Sequence, residues 1–224
     1  DLNFTVEEQS FASIVGPSGC GKTTILSLIA GLLKKSSGRI LLNGKEIEEN
    51  DWRIGYMFQR DHLFEWRTIW QNVILGIELN KPKDADKKKE FAQQLLKKYD
   101  LYDFISSKPR SLSGGMRQRV ALIRTLVMEP ALLLLDEPFS ALDFQTRLKV
   151  CDDVYEIIKS EQKTAVLVTH DISEAISMSD KIIVLSSRPA TVKHVQMLNL
   201  NGETQLYQTE KQTLHTPFTL IWEK

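Results

Sequence analysis

Short aliphatic runs alternate with stretches of helical periodicity along the chain, and this pattern predicts an α/β fold. Apolar runs bounded by turn-forming or charged residues predict the strands. These cover residues 11–15, 39–43, 45–48, 54–58, 132–135, 165–169 and 181–185. The second and third are expected to form a small antiparallel hairpin around Asn43-Gly44, a favoured two-residue turn. Residues 181–185 are the final strand expected. Since helices separate most of the other strands, we predict a largely parallel sheet covered on both faces.

Apolar residues that recur at helical spacing predict the helices. These cover residues 22–33, 68–79, 84–101, 116–127 and 144–158, with a short helix after Asp171. The polar run Ser36-Ser37-Gly38 is expected to end the first of them. Three of these helices follow one another without an intervening strand. Residues 60–128 are therefore predicted to form a helical lobe inserted into an α/β core made of residues 1–59 and 129–224.

Composition and charge exclude only a few classes of protein. Hydrophobic residues make up 42% and charged residues 26% of the 224 residues, as in an ordinary globular protein. Lys plus Arg and Asp plus Glu number 29 each, so no net field favours nucleic acid or anionic lipid. Cys20 and Cys151 match no metal-binding or CxxC spacing. The longest aliphatic run, residues 131–135, is far shorter than the roughly 20 apolar residues of a spanning helix.

A glycine-rich loop between the first strand and the first helix predicts a phosphate-binding site. It reads Gly-Pro-Ser-Gly-Cys-Gly-Lys-Thr over residues 16–23 and fits G-x-x-x-x-G-K-[ST]. Its glycines let backbone N–H groups turn towards a phosphate, and the following helix start adds a positive dipole end. Lys22 is expected to reach the β- and γ-phosphates, and the Thr23 hydroxyl to bind Mg²⁺. The predicted nucleotide-binding residues of this loop are Gly16, Pro17, Ser18, Gly19, Cys20, Gly21, Lys22, Thr23 and Thr24.

Two carboxylates follow the aliphatic strand 132–135. Ligands of open α/β sheets bind beyond the carboxyl ends of the strands, so Asp136 and Glu137 are expected to face the phosphates. Asp136 would hold Mg²⁺ through its hydration shell, and Glu137 would orient or deprotonate an attacking water. A solvated strand end is the alternative that this segment alone would favour.

A second candidate anion site lies at the start of the helix 116–127. Ser113 is well placed as the N-cap residue, and Gly114-Gly115 follows it. Two glycines there cost roughly 1 kcal/mol each in helix stability relative to alanine, which suggests the close approach of another group. A helix N-terminus with bare backbone can bind an anion. A purely structural helix start explains these residues equally well.

Residues 112–119, Leu-Ser-Gly-Gly-Met-Arg-Gln-Arg, resemble the signature motif of the ABC ATPases. Their spacing from the phosphate loop and from residues 132–137 is also similar to that of the family. Gln59 matches the Q-loop glutamine, Ser-Ala-Leu-Asp at 140–143 matches the D-loop, and His170 matches the switch histidine. The resemblance covers nearly the whole chain and implies a P-loop NTPase core.

The resemblance also implies roles for these residues. ATP and Mg²⁺ are the implied cofactors, and two copies are implied to pair head to tail in an ATP-dependent homodimer. The helix start Ser113, Gly114 and Gly115 would then contact the γ-phosphate held by the partner's loop, and Asp143 would link the two sites. Gln59 would bind Mg²⁺ and sense the γ-phosphate, and His170 would contact that phosphate and the water. The expected catalytic residues are Lys22, Gln59, Glu137 and His170, and the expected Mg²⁺ ligands are Thr23, Gln59 and Asp136.

Residues 136–143, 169–175 and 182–189 resemble importer ATPases, with the closest likeness to those for nitrate, sulfonate, taurine and thiamine-precursor uptake. The segment 218–222 fits that group too. The likeness implies a separate ABC permease as membrane partner, a solute-binding protein as indirect partner, and a peripheral position on the cytoplasmic face of the plasma membrane. The run 62–66 is expected to help form the groove for the permease. The alternative is that Phe64 and Trp66 pack the lobe against the core.

Other classes fit less well. ABC ATPases of DNA repair or chromosome organisation place long coiled-coil arms before the signature motif, and translation-associated ABC factors carry two cassettes. A regulatory protein that binds ATP without turnover is opposed by the presence of Glu137 and His170. Nucleic acid is not expected as a partner, because balanced charge gives no sign of a basic face.

Relatives in the family begin with further strands before the segment that matches residues 2–6. An aromatic residue of that region stacks on adenine. Phe4 and Phe11 are expected within strands that lead to the phosphate loop, so neither is expected to fill that place. We therefore expect the N-terminal strands and the adenine-stacking residue to be missing from this sequence.

Overall fold

The computed structural model describes residues 2–198, so the segment 218–222 lies outside the described residues. The strands are β1 Phe11–Val15, β2 Leu41–Leu42, β3 Lys45–Glu46, β4 Ile54–Met57, β5 Leu132–Asp136, β6 Thr164–Val168, β7 Lys181–Leu185 and β8 Val192–Met197. The α-helices are α1 Lys22–Ile29, α2 Ile69–Val73, α3 Leu75–Asn80, α4 Ala85–Lys98, α5 Gly114–Leu126, α6 Phe144–Ser160 and α7 Ile172–Met178. Short 3₁₀ turns lie at Tyr102–Phe104 and Pro109–Ser111.

One sheet has the order β4-β5-β6-β1-β7-β8, and its first five strands are parallel. Side chains of β5 alternate between two hydrophobic clusters. Leu133 and Leu135 belong to the cluster under α2 to α6, whereas Leu132 and Leu134 belong to the cluster under α1 and the β2-β3 hairpin. Both faces of the sheet are therefore buried, and the predicted α/β fold with a largely parallel sheet and a small antiparallel hairpin is confirmed.

The edge strand β8 contradicts the expectation that residues 181–185 are the final strand. It pairs antiparallel with β7, with Lys181 opposite Met197 and Leu185 opposite Val192. Most of its residues are exposed, and its apolar residues do not alternate strictly with polar ones. Pairing with β7, rather than a buried face, therefore defines this strand, and a search for apolar periodicity misses it.

Helix α1 is shorter than predicted, and Gly31 rather than the run 36–38 ends it. Gly31 has a φ of 69°, which favours glycine, and a β-carbon there would lie 2.6 Å from the carbonyl oxygen of Glu48. The N–H groups of Gly31 and Leu32 donate to the carbonyls of Leu28 and Ser27, at 3.2 and 2.9 Å. This pair of bonds is a Schellman motif, which satisfies the last carbonyls of a helix.

The helical region between β4 and β5 differs in detail from the prediction. The helix expected over residues 68–79 is two helices, α2 and α3, which meet at Ile74. Thr68 opens α2 with a capping box, in which its side chain accepts from Gln71 N and its N–H donates to Gln71 Oε1. The division of the chain at residues 59 and 128 stays a prediction.

The first described residues do not form the strand that was expected to contain Phe4. Residues 2–7 are extended without strand pairing, and Phe4 packs partly buried against the cluster under α1. Lys181 binds this segment to β7, because its Nζ donates to Thr5 O at 3.0 Å and to the Glu7 carboxylate at 2.7 Å. Over residues 2–198, no helix is long and apolar enough to cross a membrane.

Candidate nucleotide-binding site

The phosphate loop connects β1, in the middle of the sheet, to α1. Lys22 is 7% exposed, and its Nζ donates to the carbonyl oxygens of Gly16 and Pro17 at 2.9 and 3.1 Å. Gly19 and Gly21 have φ of 75° and 111°, and no atom lies within 4 Å of a β-carbon built on either. Gly21 is the N-cap residue of α1, and no side chain caps this helix start. The loop is therefore an open backbone cradle with the uncapped N–H groups of a helix at its end.

Asp136, at the end of β5, lies next to the start of α1. Thr23 Oγ1 donates to Asp136 Oδ1 at 3.1 Å, and the Tyr56 hydroxyl donates to Asp136 Oδ2 at 3.0 Å. Asp136 is 8% exposed. Burial and the nearby Asp136 carboxylate raise the pKa of Tyr56, so this hydroxyl stays a donor at neutral pH. The carboxylate and the hydroxyl are hard oxygen donors of the kind that Mg²⁺ prefers.

Tyr56 is a contact that sequence reasoning missed. It lies on β4, whose pairing with β5 places Tyr56 opposite Leu134. The strand itself was predicted, but its position beside β5 was not, because hydrophobic periodicity carries no information about strand order.

Glu137 and His170 meet where β5 and β6 end. The strands pair with Asp136 opposite Val168, so the next residues of both strands emerge side by side. His170 Nδ1 lies 3.1 Å from Glu137 Oε2. Glu137 has a φ of 44° and donates its N–H to Val168 O at 2.9 Å. A proton-accepting carboxylate and an exposed imidazole thus stand together at the edge of the sheet where the phosphate loop begins.

Gln59 follows β4 and contacts the same group of residues through Ser140. Its Nε2 donates to Ser140 Oγ at 3.2 Å, and Ser140 Oγ donates to Glu137 O at 3.0 Å. The segment after Gln59 is tied to α5 by two arginines. Arg117 Nε donates to the Asp61 carboxylate at 2.9 Å, and Arg124 Nη2 donates to Asp61 O at 2.7 Å.

Ser113 and Asp143 lie together in a different cleft. Each is an N-cap residue: the Ser113 side chain accepts from Met116 N at 3.3 Å, and that of Asp143 accepts from Thr146 N at 3.1 Å. The cleft has a volume of about 420 Å³. Its lining consists of Ser113, Gly114, Gly115, Met116, Arg119, Ala141, Leu142, Asp143, Thr146, Lys149 and Asp153. These lining residues, all within the described part of the chain, include none of the phosphate loop.

The glycine pair after Ser113 is explained by packing within this chain. A β-carbon on Gly115 would lie 2.6 Å from Val150 Cγ2, and one on Gly114 would lie 3.0 Å from Leu142 Cδ2. Contacts below 3.0 Å require a neighbour to shift, so Gly115 allows α5 to approach α6. The two glycines predicted the close approach of another group, and α6 is such a group.

Within the run 62–66, the aromatic Trp66 is exposed to solvent and the aliphatic Leu63 is buried. Phe64 and Trp66 stack with ring centroids 4.7 Å apart, and Trp66 is 70% exposed. Leu63, at 6% exposure, is the residue of this run that packs into the core. The alternative that Phe64 and Trp66 pack the lobe against the core is therefore wrong for Trp66, whereas Phe64 is half-buried. A role of this surface in binding a permease stays a prediction.

The structure thus gathers the predicted site residues into two groups. The loop 16–24, Gln59, Asp136, Glu137 and His170 line one edge of the sheet, where β1, β4, β5 and β6 end. Ser113, Gly114, Gly115 and Asp143 line the separate cleft between α5 and α6.

Comparison with known proteins finds similar ATP-binding proteins and solved structures. An uncharacterized ABC transporter ATP-binding protein of Bacillus subtilis strain 168, YtlC, is 46% identical over 226 residues, which cover 100% of this chain and 86% of that protein. The aliphatic sulfonates import ATP-binding protein SsuB of Bacillus licheniformis is 39% identical over 222 residues, covering 97% of this chain and 86% of that protein. Among solved structures, a dimeric ATP-binding cassette in a post-hydrolysis state bound to ADP and Pi matches with a TM-score of 0.69 and 30% identity, covering 89% of this chain and 90% of that one.

The ABC transporter family model matches residues 1–140. This chain belongs to the ABC transporter family, as one of its ATP-binding proteins. The fold is that of an ABC ATPase cassette, and the relatives include import proteins. The resemblance read from residues 112–119 and the other motifs is confirmed.

Proposed function

We propose that this chain is the ATP-hydrolysing subunit of an ABC importer and works as a head-to-tail homodimer beneath a separate permease. The observation that carries the proposal is the separation of the two groups of site residues. The cleft at Ser113 lies at a helix start, as the phosphate loop does, yet the loop does not line it. A second copy, turned head to tail, would supply the missing phosphate to each cleft.

Lys22 and the start of α1 would hold the triphosphate of ATP. The Lys22 ammonium, which now bonds the loop's own carbonyls, would turn to the β- and γ-phosphate oxygens, and backbone N–H groups of the loop would bind the others. Thr23, Gln59 and Asp136 would hold Mg²⁺, which when bound neutralises charge on the phosphates. Among the described residues no cluster of three or more His, Cys, Asp or Glu side chains could hold a metal. The remaining ligands would therefore be phosphate and water, as is usual for Mg²⁺.

Glu137 would act on the attacking water. As the water oxygen forms its bond to the γ-phosphorus and the bond to the β–γ bridging oxygen breaks, the Glu137 carboxylate accepts a proton from that water. His170, 3.1 Å from Glu137, would contact the γ-phosphate and keep the water in place. The side chains of Glu137 and His170 already lie together at one edge of the sheet. Closure of the dimer would therefore complete the site without having to bring these two side chains together.

The importer assignment rests on the relatives and on the exposed surface at residues 62–66. SsuB is by name an aliphatic sulfonates import protein, so small organic sulfonates are the first solutes to test. The stacked pair Phe64 and Trp66 offers an amphipathic surface of the kind that anchors a protein partner. The chain would sit peripherally on the cytoplasmic face of the plasma membrane, and a solute-binding protein would act on the other side.

Two substitutions test the two groups of site residues independently. Lys22→Ala should abolish binding of a fluorescent ATP analogue by the monomer, because it removes the charge that holds the phosphates. Ser113→Arg should leave that binding nearly intact but block dimer formation and hydrolysis, because a bulky side chain would fill the cleft. Nucleotide titration and size-exclusion chromatography with MgATP measure both effects.

Ser111→Arg is the matched control. Ser111 is exposed in the turn just before α5, where its hydroxyl bonds Lys108 O at 2.8 Å, and it does not line the cleft. The Ser111→Arg variant should bind nucleotide, dimerise and hydrolyse ATP like the unmodified protein. If Ser113→Arg abolishes nucleotide binding by monomers, the shared-site model is wrong.

A further inference from the structure

Arg147, in the first turn of α6, bonds two loops that carry proposed site residues. Its Nη2 donates to Leu142 O at 3.0 Å, and its Nη1 donates to Asp171 Oδ2 at 3.2 Å. The side chain is 23% exposed, so solvent competes little for these donors. No motif identified in the sequence includes Arg147.

The first of these loops ends at Asp143. Leu142 directly precedes Asp143 and packs against Gly114, since a β-carbon on that glycine would lie 3.0 Å from Leu142 Cδ2. The backbone N–H of Arg147 also donates to Asp143 O, at 2.9 Å. Arg147 therefore fixes the wall of the cleft that the partner's nucleotide would enter.

The second loop holds His170 between two anchored residues. Asp171 N donates to Thr169 Oγ1 at 3.0 Å, and that hydroxyl donates to Glu174 Oε2 at 2.6 Å. Asp171 also caps α7, where its Oδ1 accepts from Ser173 N at 2.8 Å. The Nε of Arg147 is 3.8 Å from Glu174 Oε1, so the same guanidinium faces both carboxylates of this loop.

We infer that Arg147 is a positioning residue that holds the Leu142–Asp143 loop and the His170 loop at a fixed spacing. This inference rests on the proposed function: a second copy that closes on the cleft would then contact a wall that the Arg147 side chain keeps in register with the His170 loop. A guanidinium suits this role because its planar fork presents several donors in fixed directions. A lysine ammonium could bond Asp171 but would not reach both loops in the same geometry.

Arg147→Met removes both bonds and keeps much of the side-chain volume. We expect kcat for ATP hydrolysis to fall about 10-fold or more, since small displacements of catalytic groups are costly. KM for ATP should change little, because the side-chain contacts of Arg147 with Leu142, Asp171 and Glu174 do not involve the phosphate loop. Arg147→Lys should give an intermediate kcat. In Arg147→Ala, added methylguanidinium should restore part of the rate and methylammonium should not, which a merely structural role would not produce.

Lys159→Met is the matched control, because Lys159 lies on the same helix and also joins another element, with its Nζ 2.7 Å from Asp180 Oδ2. Its kcat should match that of the unmodified protein. Hydrogen exchange gives a readout that does not depend on hydrolysis. Exchange should accelerate over residues 140–146 and 169–174 together in Arg147→Met, and not in Lys159→Met.

The outcomes separate the inference from the function on which it rests. If the unmodified chain binds and hydrolyses ATP but Arg147→Met keeps its kcat, the inference is overturned and the proposed function stands. If the unmodified chain does not hydrolyse MgATP, the proposed function fails, and the exchange data alone decide whether Arg147 joins the loops. Should Arg147→Met fail to fold, Arg147→Lys serves for the same measurements. Unchanged exchange in both loops would overturn the inference in either case.

Discussion

Glu137 has a left-handed backbone conformation, which is costly for a residue with a side chain. Its φ is 44°, and such a conformation costs of order 1–3 kcal/mol outside glycine. Three hydrogen bonds hold the turn: Glu137 N donates to Val168 O, and both the N–H and the hydroxyl of Ser140 donate to Glu137 O. The carboxylate is thereby kept 3.1 Å from His170. Asp100 and Glu129 have the same backbone conformation, so the chemical role of Glu137 rests on its place beside His170 and the phosphate loop.

Replacement of Glu137 with Gln tests this role with almost no change of shape. The amide cannot accept a proton from water, so turnover should fall at least about 10²-fold. MgATP binding should survive, because the phosphate loop is unaltered, and an ATP-bound dimer should accumulate. Phosphate release and chromatography with MgATP measure the two effects.

Glu49→Gln is a suitable control, since Glu49 is exposed and forms a surface ion pair with Lys34 at 3.2 Å. It should hydrolyse ATP at the unmodified rate. Normal turnover by Glu137→Gln would exclude Glu137 as the group that handles the water.

At the scale of elements, α6 joins the two groups of site residues. Its N-cap Asp143 lines the cleft, Val150 packs against Gly115 of α5, and Arg147 reaches the loop before α7. Helix α6 also carries three acidic residues close together, Asp152, Asp153 and Glu156. Burial, and then the charges of Asp153 and Glu156, raise the pKa of Asp152 to about 6 from an ordinary value of 3.8. Ionised Asp152 therefore destabilises the folded state at neutral pH.

Asp152→Asn should accordingly raise the melting temperature at pH 7.5. Asparagine is neutral at every pH, whereas ionisation of Asp152 costs the folded state more than the unfolded chain. That cost is fully present above pH about 6 and disappears as the pH falls towards 3.8. The gain over the unmodified protein should thus shrink below pH 6 and vanish near pH 4, as thermal unfolding across this range would show.

Asp86→Asn is the control, because the Asp86 side chain is 99% exposed at the start of α4. Its melting temperature should follow that of the unmodified protein at each pH. An equal gain from Asp152→Asn at pH 4 and pH 7.5 would mean that ionisation of Asp152 is not the cause.

At the scale of the whole molecule, two tryptophans are exposed among residues 2–198, which the structure describes. Trp66, stacked on Phe64, is 70% exposed in the segment after Gln59. Trp52, in the turn before β4, is 72% exposed. The segment that carries Trp66 is bound to α5 through Arg117 and Arg124, so a partner docked there would be connected both to Gln59 and to the helix that starts at Ser113.

Purification of the full-length protein from detergent-solubilised membranes should recover a multi-spanning permease, identified by mass spectrometry. Trp66→Glu should lose the permease because a charge would enter an aromatic contact, and it should still bind MgATP. Trp52→Glu, equally exposed but remote from Gln59 in sequence, should retain the permease. Recovery of the permease with Trp66→Glu would place the docking surface elsewhere.

Features that depend on neighbouring residues could be predicted from the amino-acid sequence alone. The turn at Asn43-Gly44, the cradle at residues 16–23 and the cap at Ser113 follow from local turn chemistry, and the parallel sheet follows from apolar runs separated by helices. Motif resemblance added Gln59, Asp143 and His170, which spacing alone could not assign.

Which of these features come into contact depends on the tertiary structure. The order β4-β5-β6-β1 places Tyr56 on Asp136 and Glu137 beside His170, and the packing of α6 on α5 explains Gly115. The strand β8 and the bonds of Arg147 were not predicted either. Periodicity records which face of an element is buried but not which element covers it. Strand order and cross-element hydrogen bonds arise from the free energy of packing the whole chain, to which residues far apart in sequence contribute together.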